Sequence, residues 1–234
     1  MLEKEVFVTT KYGLMPSFAV CPAAPGTFPA IIFYMDAPGY REELKDMARR
    51  IARHGYFCLL PDLYYRLGTL RFDVARRDGA MSTVIRAAMA SLTNATVMDD
   101  TAGMIAFLDG QEKVSPGPLA CVGHCMSGAF VTLAAARFAS RMAAAASLYG
   151  LGIVTDGPDS PHRELPQVKG ELYFAFAEVD PGVPPAVVPS LEAAAVRAGV
   201  RATIKTVAGT HHGFCFPARP DYSPAAAEAT WAEL

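Results

Sequence analysis

The feature that most constrains the fold is a strand, a helix and a second strand in direct succession near the start of the chain. Residues 30–35 form a continuous apolar run of strand length, and the breaker Ala-Pro-Gly follows them at 37–39. Residues 41–54 then carry apolar side chains at helical spacing, and residues 56–60 predict another buried strand. This βαβ order indicates a parallel sheet with helices on its faces.

The same alternation continues along the chain and predicts an α/β fold. A hairpin is expected around the turn at 11–13, and the segment 63–92 is expected to form short helices over the sheet edge. The other predicted strands are residues 119–122, 143–149, 172–177 and 203–207, and the other predicted helices are 96–108, 126–138, 186–198 and a closing helix from Pro224. Loops that follow strand ends in such a sheet gather at one rim, where sites usually form.

Length and composition suit one domain and a small-molecule partner. The 234 residues are 52% hydrophobic and 19% charged, which is enough apolar material for one α/β domain over 1–234. The net charge of −2 gives no electrostatic reason to expect a nucleic acid or an anionic membrane as partner. The sequence shows neither a leader-like apolar segment at its start nor a membrane-spanning run, so we expect a cytoplasmic monomer or homodimer.

The strongest candidate for chemistry is Cys125. Residues 123–128 read Gly-His-Cys-Met-Ser-Gly and stand between a predicted strand and a predicted helix. A nucleophile on such a sharp turn needs small residues two positions away on each side, which this pattern supplies. The turn also places the thiol at a helix N-terminus, where a thiolate is favoured. The alternative is an inert buried cysteine, which does not need this glycine spacing.

The other cysteines suggest neither a disulfide framework nor a metal site. The chain has five cysteines, an odd number, without CxxC pairs. Cys58 and Cys121 lie inside predicted strands and are expected in the core, and no chemistry is assigned to Cys21 or Cys215. The sequence has no HExxH-like histidine spacing and no glycine-rich phosphate loop, so no metal and no cofactor are expected.

An acid and a base follow Cys125 in the order that a nucleophile elbow requires. Asp180 comes after the predicted strand 172–177, and the pair His211 and His212 comes after the predicted strand 203–207. Spacing alone does not separate the two histidines. Glu178, two residues before Asp180, is an alternative acid.

Three segments together resemble the signature regions of the dienelactone hydrolase family. They are Gly-His-Cys-Met-Ser-Gly at 123–128, Glu-Val-Asp-Pro-Gly-Val-Pro at 178–184 and His-Gly-Phe at 212–214. Residues 35–39 and 61–64 are also similar to that family, so the likeness covers most of the chain. The resemblance implies an α/β-hydrolase fold, with a mostly parallel central sheet and helices on both faces, and hydrolysis of an ester or lactone.

The resemblance also implies a set of site residues. Cys125, Asp180 and His212 would form the catalytic triad, and the backbone N–H groups of Ala37 and Met126 would form the oxyanion hole. The chemistry agrees independently, since thiolate attack on an ester carbonyl creates an anionic intermediate that needs donors, and the leaving alkoxide needs a proton from imidazolium.

Two further residues are candidates near the substrate. Asp36 stands where the best-known family members carry a glutamate that contacts the resting cysteine, so it is a candidate gate for the thiol; the alternatives are a solvated aspartate or a cap for the helix at 41–54. Arg219 and the arginines of segment 63–92 are candidates to hold a substrate carboxylate, the alternative being a solvated surface charge. Ser127 replaces the usual family glycine and is small enough for the turn.

A protein of another class can use the same scaffold. A small-molecule receptor or a redox sensor would retain the fold without catalysis. The intact set of Cys, Asp and His favours the enzyme, and His124, beside the nucleophile, is interpreted as structural with its side chain turned away.

Overall fold

The predicted succession of strands and helices is present in the structure, a computed structural model that describes residues 1–234. The chain divides into two compact units, Met1–Cys121 and Val122–Leu234. The eight strands are β1 Leu2–Thr10, β2 Gly13–Cys21, β3 Ala30–Tyr34, β4 Phe57–Pro61, β5 Leu119–His124, β6 Met142–Leu148, β7 Glu171–Val179 and β8 Arg201–His211. The six α-helices are α1 Glu42–Arg53, α2 Gly79–Ala90, α3 Asn94–Asp109, α4 Gly128–Arg137, α5 Val187–Ala198 and α6 Pro224–Trp231.

In the first unit the strands follow the order β1-β2-β4-β3-β5. The predicted hairpin is confirmed: β1 and β2 pair antiparallel from Leu2 opposite Cys21 to Thr10 opposite Gly13. Strand β2 also pairs antiparallel with β4, whereas β3 and β4 are parallel, as the βαβ pattern predicts. Helix α1 buries the apolar positions that predicted it, Leu44, Met47, Ala48 and Ile51.

In the second unit the strands follow the order β6-β7-β8. The three strands β6, β7 and β8 run parallel, with Ser147 opposite Phe174 and Phe174 opposite Ile204. Parallel strands place their carboxyl ends at the same edge of a sheet, so the loops after β6, β7 and β8 begin at one edge of this unit.

Some predicted boundaries were wrong. Strand β8 extends to His211, because it continues to pair with β7 beyond an irregularity near Ala177, with Val179 opposite His211. In the segment 63–92, α2 is a regular helix of 12 residues, which begins where Asp78 accepts a hydrogen bond from the backbone N–H of Met81. Helix α4 begins at Gly128, two residues later than expected, because a short 3-10 turn precedes it. That the chain acts as one domain stays a prediction.

Candidate active site

Cys125 occupies a strained turn between a strand and a helix. Strand β5 ends at His124, a 3-10 turn spans Cys125–Ser127, and α4 follows directly. The backbone of Cys125 has a φ of 55°, a left-handed conformation that is rare for residues with a side chain. The residue is 6% exposed, so the thiol is largely shielded from water. This is the backbone geometry that the glycine spacing predicts.

The glycines of the turn are required by close packing. A Cβ atom on Gly123 would lie 2.8 Å from Cβ of Ser127 and 2.8 Å from a methyl group of Val131. A Cβ atom on Gly128 would lie 2.4 Å from Cα of Gly150. All three distances are shorter than real Cβ contacts, so a side chain at either glycine would force its neighbours to move.

His212 contacts the acid that the sequence suggested. Asp180 follows the last residue of β7 and His212 follows the last residue of β8. The distance between Nδ1 of His212 and Oδ2 of Asp180 is 2.6 Å, and the other carboxylate oxygen of Asp180 accepts a hydrogen bond from the backbone N–H of Gly182 at 2.9 Å. The Asp180 side chain is only 3% exposed and that of His212 is 21% exposed. The carboxylate therefore has fixed partners on both oxygens.

The charge of His212 is favoured by its neighbours. Burial opposes the protonated imidazole, but hydrogen bonds to Asp180 and to Cys125, with the negative charge on each, raise the pKa of His212 from 6.5 to about 9. The imidazole thus interacts with both the acid and the thiol. At neutral pH the ring is therefore protonated.

The competing residues have other positions. His211 is the exposed last residue of β8 and pairs with Val179 in the sheet. Glu178 is exposed, and its carboxylate accepts a hydrogen bond from the backbone N–H of Gly209 at 2.6 Å. The structure therefore brings together Asp180 and His212 rather than Glu178 and His211.

His124 is fully buried among aromatic rings. Its ring centroid lies 5.5 Å from that of Tyr149, 5.1 Å from that of Phe216 and 6.3 Å from that of Trp231. This aromatic environment agrees with a structural role for His124.

A sequence model described as the dienelactone hydrolase family matches residues 15–234. The chain belongs to the dienelactone hydrolase family. A relative from Methylorubrum extorquens, named "Putative carboxymethylenebutenolidase", is 28% identical, and the match covers 100% of this chain and 79% of the relative. A Synechocystis relative of the same name is 26% identical over 91% of this chain and 86% of its own length. The chain is accordingly a hydrolase of the dienelactone hydrolase type.

Solved structures with similar folds lead to the same fold class. A crystal structure named for a "Putative Dienelactone Hydrolase" from Klebsiella pneumoniae has a TM-score of 0.88 at 22% identity and covers 99% of this chain and 95% of that one. An acylaminoacyl peptidase from Pyrococcus horikoshii has a TM-score of 0.73 at 15% identity and covers 98% of this chain and 40% of the peptidase chain. The predicted α/β-hydrolase fold is confirmed. None of the helices has the length and apolar character needed to cross a membrane.

In this dienelactone hydrolase family member, Asp36 is held in an ion pair. It is fully buried, and the guanidinium of Arg41 donates hydrogen bonds to both of its carboxylate oxygens. Arg41 also donates to the backbone oxygen of Gly39 at 3.1 Å, and its pair with Glu43 measures 2.7 Å. The suggestion of a solvated aspartate was wrong, and the observed ion pair involves the Arg41 side chain at the start of α1.

The backbone around Ala37 is also fixed. The Tyr64 hydroxyl donates a hydrogen bond to the carbonyl oxygen of Ala37 at 2.7 Å. The backbone N–H of Gly39 donates to the carbonyl oxygen of Asp36 at 2.9 Å. Gly39 has a φ of 79°, and a Cβ atom there would lie 3.0 Å from the Tyr64 ring. These contacts hold the turn that carries the Ala37 N–H group.

Arg219 lies close to the residue that follows His212. Its guanidinium stacks 4.7 Å from the centre of the Phe216 ring. A Cβ atom on Gly213, the residue after His212, would lie 2.6 Å from a guanidinium nitrogen of Arg219. Of the arginines in segment 63–92, Arg66 is paired with Asp100 and Arg71 with Asp62, each at 2.7 Å.

Two residues could not be singled out from the sequence: Arg41, which binds Asp36, and Tyr149, which follows β6. Arg41 was assigned only to a helix, although an arginine five residues after an aspartate across a glycine turn was a usable signal for an ion pair. Tyr149 was assigned to the end of a strand, yet it lies just after β6 with a φ of 40°. No local pattern indicates that conformation.

Proposed function

We propose that this chain hydrolyses a small carboxylic ester or lactone with Cys125 as nucleophile, His212 as base and Asp180 as orienter. The observation that carries the proposal is the position of the His212 imidazole, which interacts with the Asp180 carboxylate on one side and with Cys125 on another. A thiol, an imidazole and a carboxylate in this relation form the arrangement used for nucleophilic acyl transfer.

The first half of the reaction makes a thioester. The Cys125 thiolate attacks the carbonyl carbon, and its sulfur–carbon bond forms as the carbonyl π electrons move to oxygen. The tetrahedral intermediate collapses, the carbon–oxygen bond to the leaving group breaks, and the alkoxide takes the proton held on His212. The raised pKa of His212, about 9, means that this proton is present at neutral pH.

The anionic oxygen of the intermediate needs hydrogen-bond donors. The proposed donors are the backbone N–H of Met126, in the turn that begins α4, and that of Ala37. The start of a helix favours negative charge, which supports the first donor. The second donor is supported by the family resemblance and by the hydrogen bonds that fix its turn.

The second half releases the acid. Neutral His212 removes a proton from a water molecule as the water attacks the thioester carbonyl. The carbon–sulfur bond breaks, the carboxylic acid product leaves, and the thiolate–imidazolium pair is restored. Asp180 keeps Nδ1 of His212 oriented throughout.

For the substrate we favour a lactone or ester that carries a carboxylate. Relatives of this chain carry the name "Putative carboxymethylenebutenolidase", and Arg219 lies beside the residue that follows His212. A guanidinium at that position can bind a carboxylate with two parallel hydrogen bonds.

The experiment is an activity screen over small esters and lactones with and without a carboxylate, starting with p-nitrophenyl acetate. Wild-type protein should turn over at least one class, and acid quenching during turnover should trap an acyl group on Cys125. Saturable binding of the same compounds without any turnover would instead identify a receptor on this scaffold. An acyl group found on another residue would exclude Cys125 as the nucleophile.

A further inference from the structure

We propose that Tyr149 is a positioning residue, whose ring holds the His212 imidazole in line with Cys125. The inference deepens the proposed function and rests on it. It starts from an aromatic contact: the ring centroids of Tyr149 and His212 are 5.3 Å apart, and the two ring planes are inclined by 66°. Edge-to-face packing of this kind is a favourable and directional arrangement of two rings.

Tyr149 itself has little freedom to move. It is fully buried, its backbone N–H donates to the carbonyl oxygen of Ala175 at 2.6 Å, and its ring packs 5.2 Å from that of Phe214 and 6.1 Å from that of Phe216. A ring held on several sides is a rigid surface, so the imidazole that packs against it cannot turn freely about its own side-chain bonds.

The backbone of Tyr149 adopts a conformation that a tyrosine normally avoids. Its φ of 40° lies in the left-handed region, where a side chain meets its own backbone and glycine is favoured. Strain of this kind persists only where the surroundings impose it, and it is often associated with functional sites. A large ring at a position suited to glycine indicates that the ring contact has a function.

The same segment contacts the nucleophile. Two residues after Tyr149, the backbone N–H of Leu151 donates to the carbonyl oxygen of Cys125 at 2.8 Å, and the carbonyl oxygen of Leu151 accepts from the N–H of Ala129 at 3.2 Å. Gly150, between Tyr149 and Leu151 in the chain, lies so close to Gly128 that a Cβ atom on either glycine would clash. Residues 149–151 therefore connect the backbone of the nucleophile to the ring of the base.

Asp180 orients His212 through one nitrogen, and a hydrogen bond to a single atom leaves the ring able to swing about that contact. The Tyr149 ring restricts this motion from a different direction. Loss of the ring should thus affect the alignment of the imidazole with Cys125 while substrate binding is little changed. A small misplacement of a catalytic group can reduce a rate by on the order of 10²-fold.

The test compares three variants with the wild type by steady-state kinetics with p-nitrophenyl acetate. Tyr149→Leu should reduce kcat by about 10- to 100-fold with KM changed by less than about threefold. Tyr149→Phe, which retains the ring, should remain within about threefold of wild type in both constants. Phe174→Leu removes a buried ring from β7 and serves as the matched control; it should retain kcat even where stability falls.

A spectroscopic measurement separates positioning from general loss of stability. The proton on Nδ1 of His212, shared with Asp180, should give a low-field resonance that persists in Tyr149→Phe and in Phe174→Leu but broadens or disappears in Tyr149→Leu. If Tyr149→Leu does not fold, Tyr149→Asn replaces it, because asparagine tolerates the left-handed region better than leucine.

Full kcat in the ring-deleted variant, or equal losses in Tyr149→Phe and Tyr149→Leu, would overturn the role of the ring. Equal losses of kcat in Phe174→Leu and Tyr149→Leu would also overturn it, since both would then report packing alone. The Cys125→Ala variant is measured alongside: if it retains activity, the proposed function fails, whereas an inactive Cys125→Ala with a fully active Tyr149→Leu refutes only the role of Tyr149.

Discussion

Nδ1 of His212 lies 2.6 Å from Oδ2 of Asp180, and each residue directly follows one of two neighbouring parallel strands. The carboxylate therefore fixes which nitrogen of the imidazole faces the acid and leaves the other for chemistry. Cys125, at the strained turn after β5, interacts with the same imidazole.

We expect Cys125 to be the thiol that iodoacetamide alkylates fastest. It is 6% exposed, more than any other cysteine, and it lies at a strand-to-helix turn beside the His212 imidazole. Burial raises the pKa of the Cys121 thiol to about 12 and that of the Cys58 thiol further. Peptide mapping by mass spectrometry checks this, and prior labelling of Cys58 or Cys121 would mean that the nucleophile is misassigned.

Substitution of His212, the proposed base, or of Asp180, the proposed acid, should abolish most of the activity. His212→Ala should lower kcat by on the order of 10³-fold or more, and Asp180→Asn by on the order of 10²-fold or more, because the ring loses its orientation and the partner of its charge. The double variant should be little worse than the poorer single variant, since residues that act as one unit are not additive. His211→Ala is the matched control and should retain activity. Loss of activity in His211→Ala together with full activity in His212→Ala would instead assign the role of the base to His211.

Hydrolytic activity, measured as kcat/KM, should decrease as the pH rises through the pKa of His212. Burial opposes its charge, but its neighbours raise that pKa from 6.5 to about 9, so the ring is protonated at neutral pH and loses its proton only above that value. For an alkyl ester, whose leaving group needs that proton, kcat/KM should fall as the pH rises through about 9. The raised pKa of His212 also stabilises the folded state. This stabilisation is complete below about pH 6.5 and is lost as the pH rises through about 9.

Two controls make the pH profile specific. Asp180→Asn removes a hydrogen bond and a charge that raise the pKa of His212, so the falling limb should move to lower pH. A p-nitrophenyl ester has a leaving group that departs without a proton and should show a weaker limb. A limb at the same pH in wild type and in Asp180→Asn would show that another group titrates.

Asp36→Asn should lower the free energy of unfolding by roughly 2–3 kcal/mol, because Arg41, only 10% exposed, loses the carboxylate that binds it. Glu42→Gln breaks an exposed pair with Arg49 and should cost less than about 1 kcal/mol. Urea denaturation measures both.

The same Asp36→Asn variant tests the suggested gate. Arg41 already neutralises the Asp36 carboxylate, so the alkylation rate of Cys125 against pH should superimpose on that of wild type. Faster alkylation at neutral pH in Asp36→Asn would instead support gating of the thiol by the carboxylate.

Most of the strands and helices could be predicted from local sequence patterns. Apolar runs and helical spacing identified β3, α1 and β4 to within a residue or two, because each element buries a face that its own sequence encodes. The end of β8 was missed because the pairing of Val179 with His211 depends on a neighbouring strand rather than on the residues of β8. The helix α2 was underestimated because its apolar periodicity is weak.

The parts of the candidate site that could be predicted are those in which the spacing of residues along the chain follows directly from the local backbone geometry. The small residues around Cys125 follow from the turn itself, as the clash at Gly123 shows. The left-handed backbone of Tyr149 and the contact of Gly150 with Gly128 arise from segments that are distant in sequence, so no local motif encodes them. The choice of His212 over His211 required the family resemblance, since adjacent histidines have equivalent spacing.

Cys125 is the proposed nucleophile, and both halves of the proposed reaction depend on it. The most direct measurement is kcat/KM for p-nitrophenyl acetate in wild type, in Cys125→Ala and in Cys21→Ala, a control at a buried cysteine of β2. If Cys125 is the nucleophile, Cys125→Ala should lose activity by on the order of 10⁴-fold or more, with Cys21→Ala close to wild type. Activity in Cys125→Ala within about tenfold of wild type would contradict it, because a change that small is only about 1.4 kcal/mol of transition-state stabilisation.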